Sequence, residues 1–165
     1  MHCGLKMKNK NVERQIKDCS KELFSIKKRI IKLSPLDSII PYLTNYTLIR
    51  GCGTIEWAIK NLIYENICAA NTSIQIKEYF SNNLLERAVN PQKENILKLI
   101  NHFDAGWKNS FKNGLRAQAN SSLKSLYDLR CEFAHGGNPR PSFPDVYRYY
   151  FVSIDAVVLL DNIIN

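Results

Sequence analysis

At 165 residues the chain is long enough for one domain with a substantial core, and 45% hydrophobic against 23% charged residues is an ordinary globular balance. No apolar run of about 18 residues exists, which excludes a helical membrane span, and no apolar segment follows the early lysines, so neither a secretory signal nor a membrane location is expected. The five cysteines (Cys3, Cys19, Cys52, Cys68, Cys131) are odd in number and widely spaced, with no C-x-x-C pair and no clustered histidine. That pattern argues against a zinc site and a disulfide framework and points to small buried or half-buried thiols in a reducing cytoplasm. The net charge of +8 is concentrated in residues 1–33, which hold ten basic and three acidic residues. Such a segment is either an electrostatic footprint for nucleic acid or another acidic partner, or simply the solvated face of a helix.

Within that segment Val12, Ile16, Cys19, Leu23, Ile26, Ile30 and Leu33 alternate in steps of four and three. This is the seam of a helix that packs along another, with every lysine off the seam. The partner helix could lie in the same domain or in another chain. Ser34-Pro35-Leu36-Asp37 reads as a stop and restart, with Ser34 as cap and Pro35 at the first helical position. Pro41 is expected to kink the next helix or to divide it from a short first piece. Helical spacing runs from Tyr42 to about Ala69, interrupted by Gly51-Cys52-Gly53. Two glycines inside a helix cost about 1 kcal/mol each, so a close approach by a neighbouring helix is expected there.

Thr72 or Ser73 should cap a helix burying Ile76, Tyr79, Phe80, Leu84 and Ala88. Asn90-Pro91 should open the next, with Ile96, Leu97, Ile100 and Phe103 inward, while residues 104–114 read as irregular or as a short turn anchored by Trp107 and Phe111. A helix starting between Leu115 and Ser121 then runs through Leu123, Leu126, Leu129 and Phe133, all expected to face the core. It should finish near His135, because Gly136, Gly137 and Pro139 follow. Pro144 opens a last helix over 145–164. No alternating strands and no repeats occur, so the fold class is all-α, an antiparallel helical bundle.

Arg130 and His135 stand at the end of the 115–135 helix. One is a permanent cation with a forked set of donors; the other titrates near neutrality. Together they form a candidate phosphate-handling pair. Residues five apart lie about 140° from each other around an ideal helix, so one such pair does not converge easily, and a two-fold dimer would bring two helix ends together. The alternatives are a histidine that caps its own helix and an arginine paired with Asp128 or Glu132. Glu56 can reach Arg130 from a facing helix and orient it, or be merely solvated. His102 reads as structural, and Tyr149 and Tyr150 as core.

Arg130-Cys131-Glu132-Phe133-Ala134-His135-Gly136 resembles the Arg-x4-His signature of the HEPN superfamily, small helical domains of prokaryotic toxins, abortive-infection proteins and RNA-cutting effectors. The run Asn90-Pro91…Glu94-Asn95-Ile96-Leu97-Lys98-Leu99 with Phe103…Trp107 is similar to the RiboL-PSP and MAE-type branches. The resemblance covers roughly 44–165. It implies a HEPN-like domain over 34–165 preceded by an extra basic amphipathic helix, 1–33.

It further implies a homodimeric, metal-independent endoribonuclease of toxin or phage-defence type, with no cofactor. Arg130 and His135 are its catalytic residues, and Glu56, Glu132 and Cys131 support them. RNA, tRNA or mRNA, is the partner, with Lys27, Lys28, Arg29 and Lys32 expected to hold it; an antitoxin or defence-system protein is a further partner. Gly137 stands where one branch has a tyrosine modified by a partner nucleotidyltransferase, which argues against that arrangement. Cys131 stands where the family often has a polar residue, and this favours the rival reading, a non-catalytic RNA- or nucleotide-binding or dimerisation module.

Overall fold

The four-three heptad produces helix α1, Lys10–Ile30, whose seam residues Val12, Ile16, Cys19 and Leu23 are fully buried. In the computed structural model, which describes residues 5–70, 73–86 and 91–165, that seam lies against helices of the same chain. It is therefore not free to receive a partner. The start of α1 is tied down by polar groups. The Asn9 side chain accepts the Val12 N–H at 2.9 Å, and the buried carboxylate of Asp161 accepts the backbone N–H groups of Lys8 and Asn9 from the far end of the chain. These bonds satisfy donors that a helix start otherwise leaves unpaired.

The next helix, α2, is a single rod from Ile39 to Ala70. Pro41 neither kinks nor divides it, because it falls in the first turn, where a missing N–H breaks no intrahelical bond. Nor does Ser34 start it: residues 34–37 form a turn closed by Asp37 N–H to Ser34 O at 2.9 Å, and the Asp37 carboxylate accepts the Ile39 N–H at 3.0 Å. The expected close approach does occur at Gly51, where a Cβ would fall 3.0 Å from Cδ2 of Tyr150. Gly53 has open space instead.

Helix α3, Ile74–Phe80, follows Ser73 and passes into a π-helical turn, Ser81–Leu85. Only Leu84 of this segment is buried. Ile76 and Tyr79 are exposed, contrary to the expected inward stripe, because α3 lies at the margin of the bundle and the wider turn changes the helical phase before Leu84. Thr72, Ala88 and Asn90 lie outside the described residues. Helix α4, Lys93–Asn101, buries Ile96 and Ile100. The stretch read as irregular is helix α5, Ala105–Gly114. Its periodicity is short and its composition polar, but the Asp104 carboxylate caps it by accepting the Trp107 N–H at 2.8 Å, and Phe111 anchors it in the core.

Helix α6, Ala117–Ala134, and helix α7, Phe143–Ile164, complete the bundle. Seven α-helices and no strand are present among the described residues. The architecture is all-α: α2 and α7 form the central pair, α1 and α6 flank them, and α4 and α5 close the side toward α6 and α7. No helix among the described residues is long and apolar enough to cross a membrane.

Candidate active site at the end of helix α6

The end of α6 is built by its glycines. Gly136 has φ of 79°, a conformation that side chains disfavour, and it turns the chain out of the helix. The Gly137 N–H returns to Glu132 O at 2.9 Å and the Gly136 N–H to Phe133 O at 3.2 Å. This pair of bonds is the Schellman stop that the Gly-Gly-x-Pro exit predicts. His135 becomes the C-cap residue, its own N–H bonded to Cys131 O at 3.0 Å.

Its imidazole is exposed and makes no hydrogen bond among the described residues, so it does not serve as the cap for its own carbonyls. Arg130 is half-buried one turn earlier. Its guanidinium is in no hydrogen bond or ion pair among those residues. The acid that could have taken it, Asp128, is bonded instead to Lys124 and accepts from Gln92 at 3.1 Å. An arginine and a histidine with no side-chain partner among the described residues thus stand together at one helix terminus.

Arg130 faces α2. Burial pushes the Cys52 thiol up to about 12; the Arg130 charge opposes this, while Glu56 and Cys131 add to it. Arg130, Cys131, Cys52 and Glu56 therefore share one neighbourhood across the α2–α6 contact. Glu56 is ion-paired with Lys60 at 3.2 Å, and Lys60 also donates to Leu85 O at 2.8 Å, so the carboxylate is held by its own helix. Cys131 is half-buried and accepts a hydrogen bond from the Tyr127 hydroxyl, which, with burial, raises that phenol above its ordinary value. The Glu132 carboxylate is exposed, and its main-chain carbonyl closes the stop.

Phe133 was expected in the core but is exposed, because the helix is leaving the bundle by that turn. Among the other sequence candidates, Tyr150 is fully buried and its hydroxyl donates to Ile16 O at 3.2 Å. Tyr149 is half-buried with Arg148 over its ring, and His102 is an exposed C-cap residue of α4.

The basic end of α1 lies at the same end of the bundle. Ile30, the start of α2 and the loop 138–144 that follows His135 line one groove. Lys27 sits over the Tyr147 ring at 4.8 Å and Lys28 over Phe24 at 4.7 Å, whereas Arg29 and Lys32 extend into solvent. The groove itself, with Asn45, Asn138 and Arg140, was not singled out from sequence, since its two walls are some ninety residues apart in the chain. Among the described residues no three His, Cys, Asp or Glu side chains converge as a metal site.

With the Arg-x4-His pair placed at a helix end inside an all-α bundle, the family follows. The RiboL-PSP-HEPN family model matches residues 14–165. The chain belongs to the RiboL-PSP-HEPN family. The match begins inside α1, so most of the basic helix lies within the region the family shares. No curated protein and no solved structure matches the chain. A HEPN domain of this kind is consistent with an RNase or a nucleotide-binding module.

Proposed function

We propose that this HEPN protein is a metal-independent endoribonuclease of toxin or phage-defence type, acting as a homodimer. The observation that carries the reading is a pair of side chains, Arg130 and His135, with no partner among the described residues at a glycine-built helix end. One imidazole takes the proton from a ribose 2′-hydroxyl as that oxygen bonds to phosphorus; the bond to the 5′-oxygen breaks, and that oxygen takes up a proton from the protonated His135 of the second copy. The products are a 2′,3′-cyclic phosphate and a 5′-hydroxyl. Arg130 binds the scissile phosphate and stabilises its growing charge through forked donors.

A second copy supplies what one helix end lacks, since Arg130 and His135 diverge by about 140° around α6. The surface for it is the outer face of α2, where Ile39, Tyr42, Tyr46, Ile49 and Gly53 form an exposed stripe in steps of three and four. Ile49 and Gly53 flank Cys52, whose buried thiol feels the Arg130 charge. Arg29 and Lys32 hold the RNA backbone at the same end of the bundle.

The decisive test is digestion of tRNA and mRNA in EDTA by the wild-type protein and by His135→Ala. Cleavage by the first and none by the second, with unchanged circular dichroism, is expected. Equal cleavage by both sinks the reading. Binding of RNA without cleavage by either identifies the non-catalytic module instead.

A further inference from the structure

The loop that leaves His135 does more than end a helix. The loop 138–144 forms one wall of a groove, and Ile30 with the start of α2 forms the other. The groove has a volume of about 580 Å³, within the size range of small-ligand sites. Four of the protein's six prolines line it. Their rings, with the largely buried Phe143, make the walls mostly apolar.

Polar groups in the groove divide into two kinds. Thr44 and Ser142 are used internally: Thr44 donates to Ile40 O at 2.9 Å, and Ser142 caps α7. Asn45, Asn138 and Arg140 are bonded to nothing among the described residues. No acidic residue lines the groove, and Arg29 adjoins its Ile30 wall.

An apolar slot with two free amides and a free guanidinium, starting three residues after His135, has a specific chemical match. A carboxamide offers a donor and an acceptor side by side, the pairing that reads the edge of a base, and apolar walls can pack against its faces. A guanidinium takes the attached phosphate. We propose that this groove is a nucleobase subsite, in which Asn45 and Asn138 read the base of a nucleotide next to the cut and Arg140 binds its phosphate. The proposal rests on the RNA-cleavage reading for its role, but the binding itself can be tested without it.

The test is a nitrogen-15 NMR titration of the full chain with each of the four ribonucleoside 3′-monophosphates and with inorganic phosphate. Shifts of the Asn45 and Asn138 side-chain amides are expected, with one nucleotide binding at least about threefold more tightly than the others and phosphate alone leaving both amides unmoved. In mapped digests of a mixed-sequence RNA, Asn45→Ala with Asn138→Ala should flatten the base preference at the cut. Asn138→Asp, which exchanges the donor for an acceptor, should change which base is preferred.

Equal binding of all four nucleotides, or identical shifts from phosphate, overturns the base subsite. So does an unaltered cut pattern in both variants of an active enzyme. Base-selective shifts in a protein that cuts no RNA leave the subsite standing and remove only the nuclease reading.

Discussion

Glu132 and Gly137 are locked together at the end of α6: the glycine N–H donates to the glutamate carbonyl at 2.9 Å, and a Cβ at position 137 would fall 2.7 Å from that same oxygen. His135 is held between them. Gly137→Ala must therefore open the stop, and Gly136→Ala must hold an alanine at φ near 79° at a cost of roughly 1 kcal/mol. Both variants should lose about 1–2 kcal/mol in urea unfolding. RNA cleavage should fall further than stability does, because the imidazole is displaced.

The two glycines of α2 should behave in opposite ways. Gly51→Ala pushes a methyl group against the Tyr150 ring, which is buried and bonded to Ile16 O, and should destabilise the protein by about 1–3 kcal/mol. Gly53→Ala meets open space and gains helix propensity, so it should stabilise by up to about 1 kcal/mol. Urea midpoints at constant slope will show whether the signs differ.

Acid should loosen the start of α1. Hydrogen bonds from Lys10 first, then from Lys17 and the Met7 N–H, hold the Glu13 carboxyl well below its usual 4.5, at about 2. Its folded value is lower than its unfolded value, so the contribution is complete above pH about 4.5 and is lost as pH falls through about 2. Glu13→Gln should melt lower than wild type at pH 7, and the gap should close progressively below pH about 4.5. A gap independent of pH would show that the carboxylate is not the group responsible.

Asp161 joins the two ends of the chain. Its buried carboxylate receives two backbone donors from residues 8 and 9, and Asp161→Ala strands both. A loss of about 1–3 kcal/mol is expected by thermal unfolding. Asp161→Asn keeps one acceptor oxygen and should lose less.

Arg130→Lys keeps the charge but not the fork. Cleavage should fall by about tenfold or more, with a smaller change in RNA affinity. Ile49→Glu places a charge on the outer stripe of α2, which the fold tolerates because the side chain is already half exposed. If the proposed dimer uses this face, size-exclusion chromatography should show the variant as a monomer, and cleavage should be lost with it.

The heptad of α1, the Gly-Gly-x-Pro exit of α6 and the proline at the start of α7 are local signals, and each was legible because a few neighbouring residues decide it. The errors were local signals too weak to decide. Asp104 alone marks the start of α5, and the inward stripe expected through Ile76 and Tyr79 depends on a register that a π-helical turn changes. Pro41 was read as a break because its distance from the true helix start was not visible.

The candidate site divides along the same line. Arg130 and His135, their helix and its end follow from the sequence, since periodicity and turn chemistry act over a few residues. That neither side chain has a partner among the described residues follows only from the fold, where Asp128 turns to Lys124 and Glu56 to Lys60. The same holds for the docking of the α1 seam on its own chain, for the fit of Gly51 against Tyr150 and for the groove beside His135. Each brings together residues distant in the chain, and their proximity is set by how the helices share one core, which no local pattern encodes.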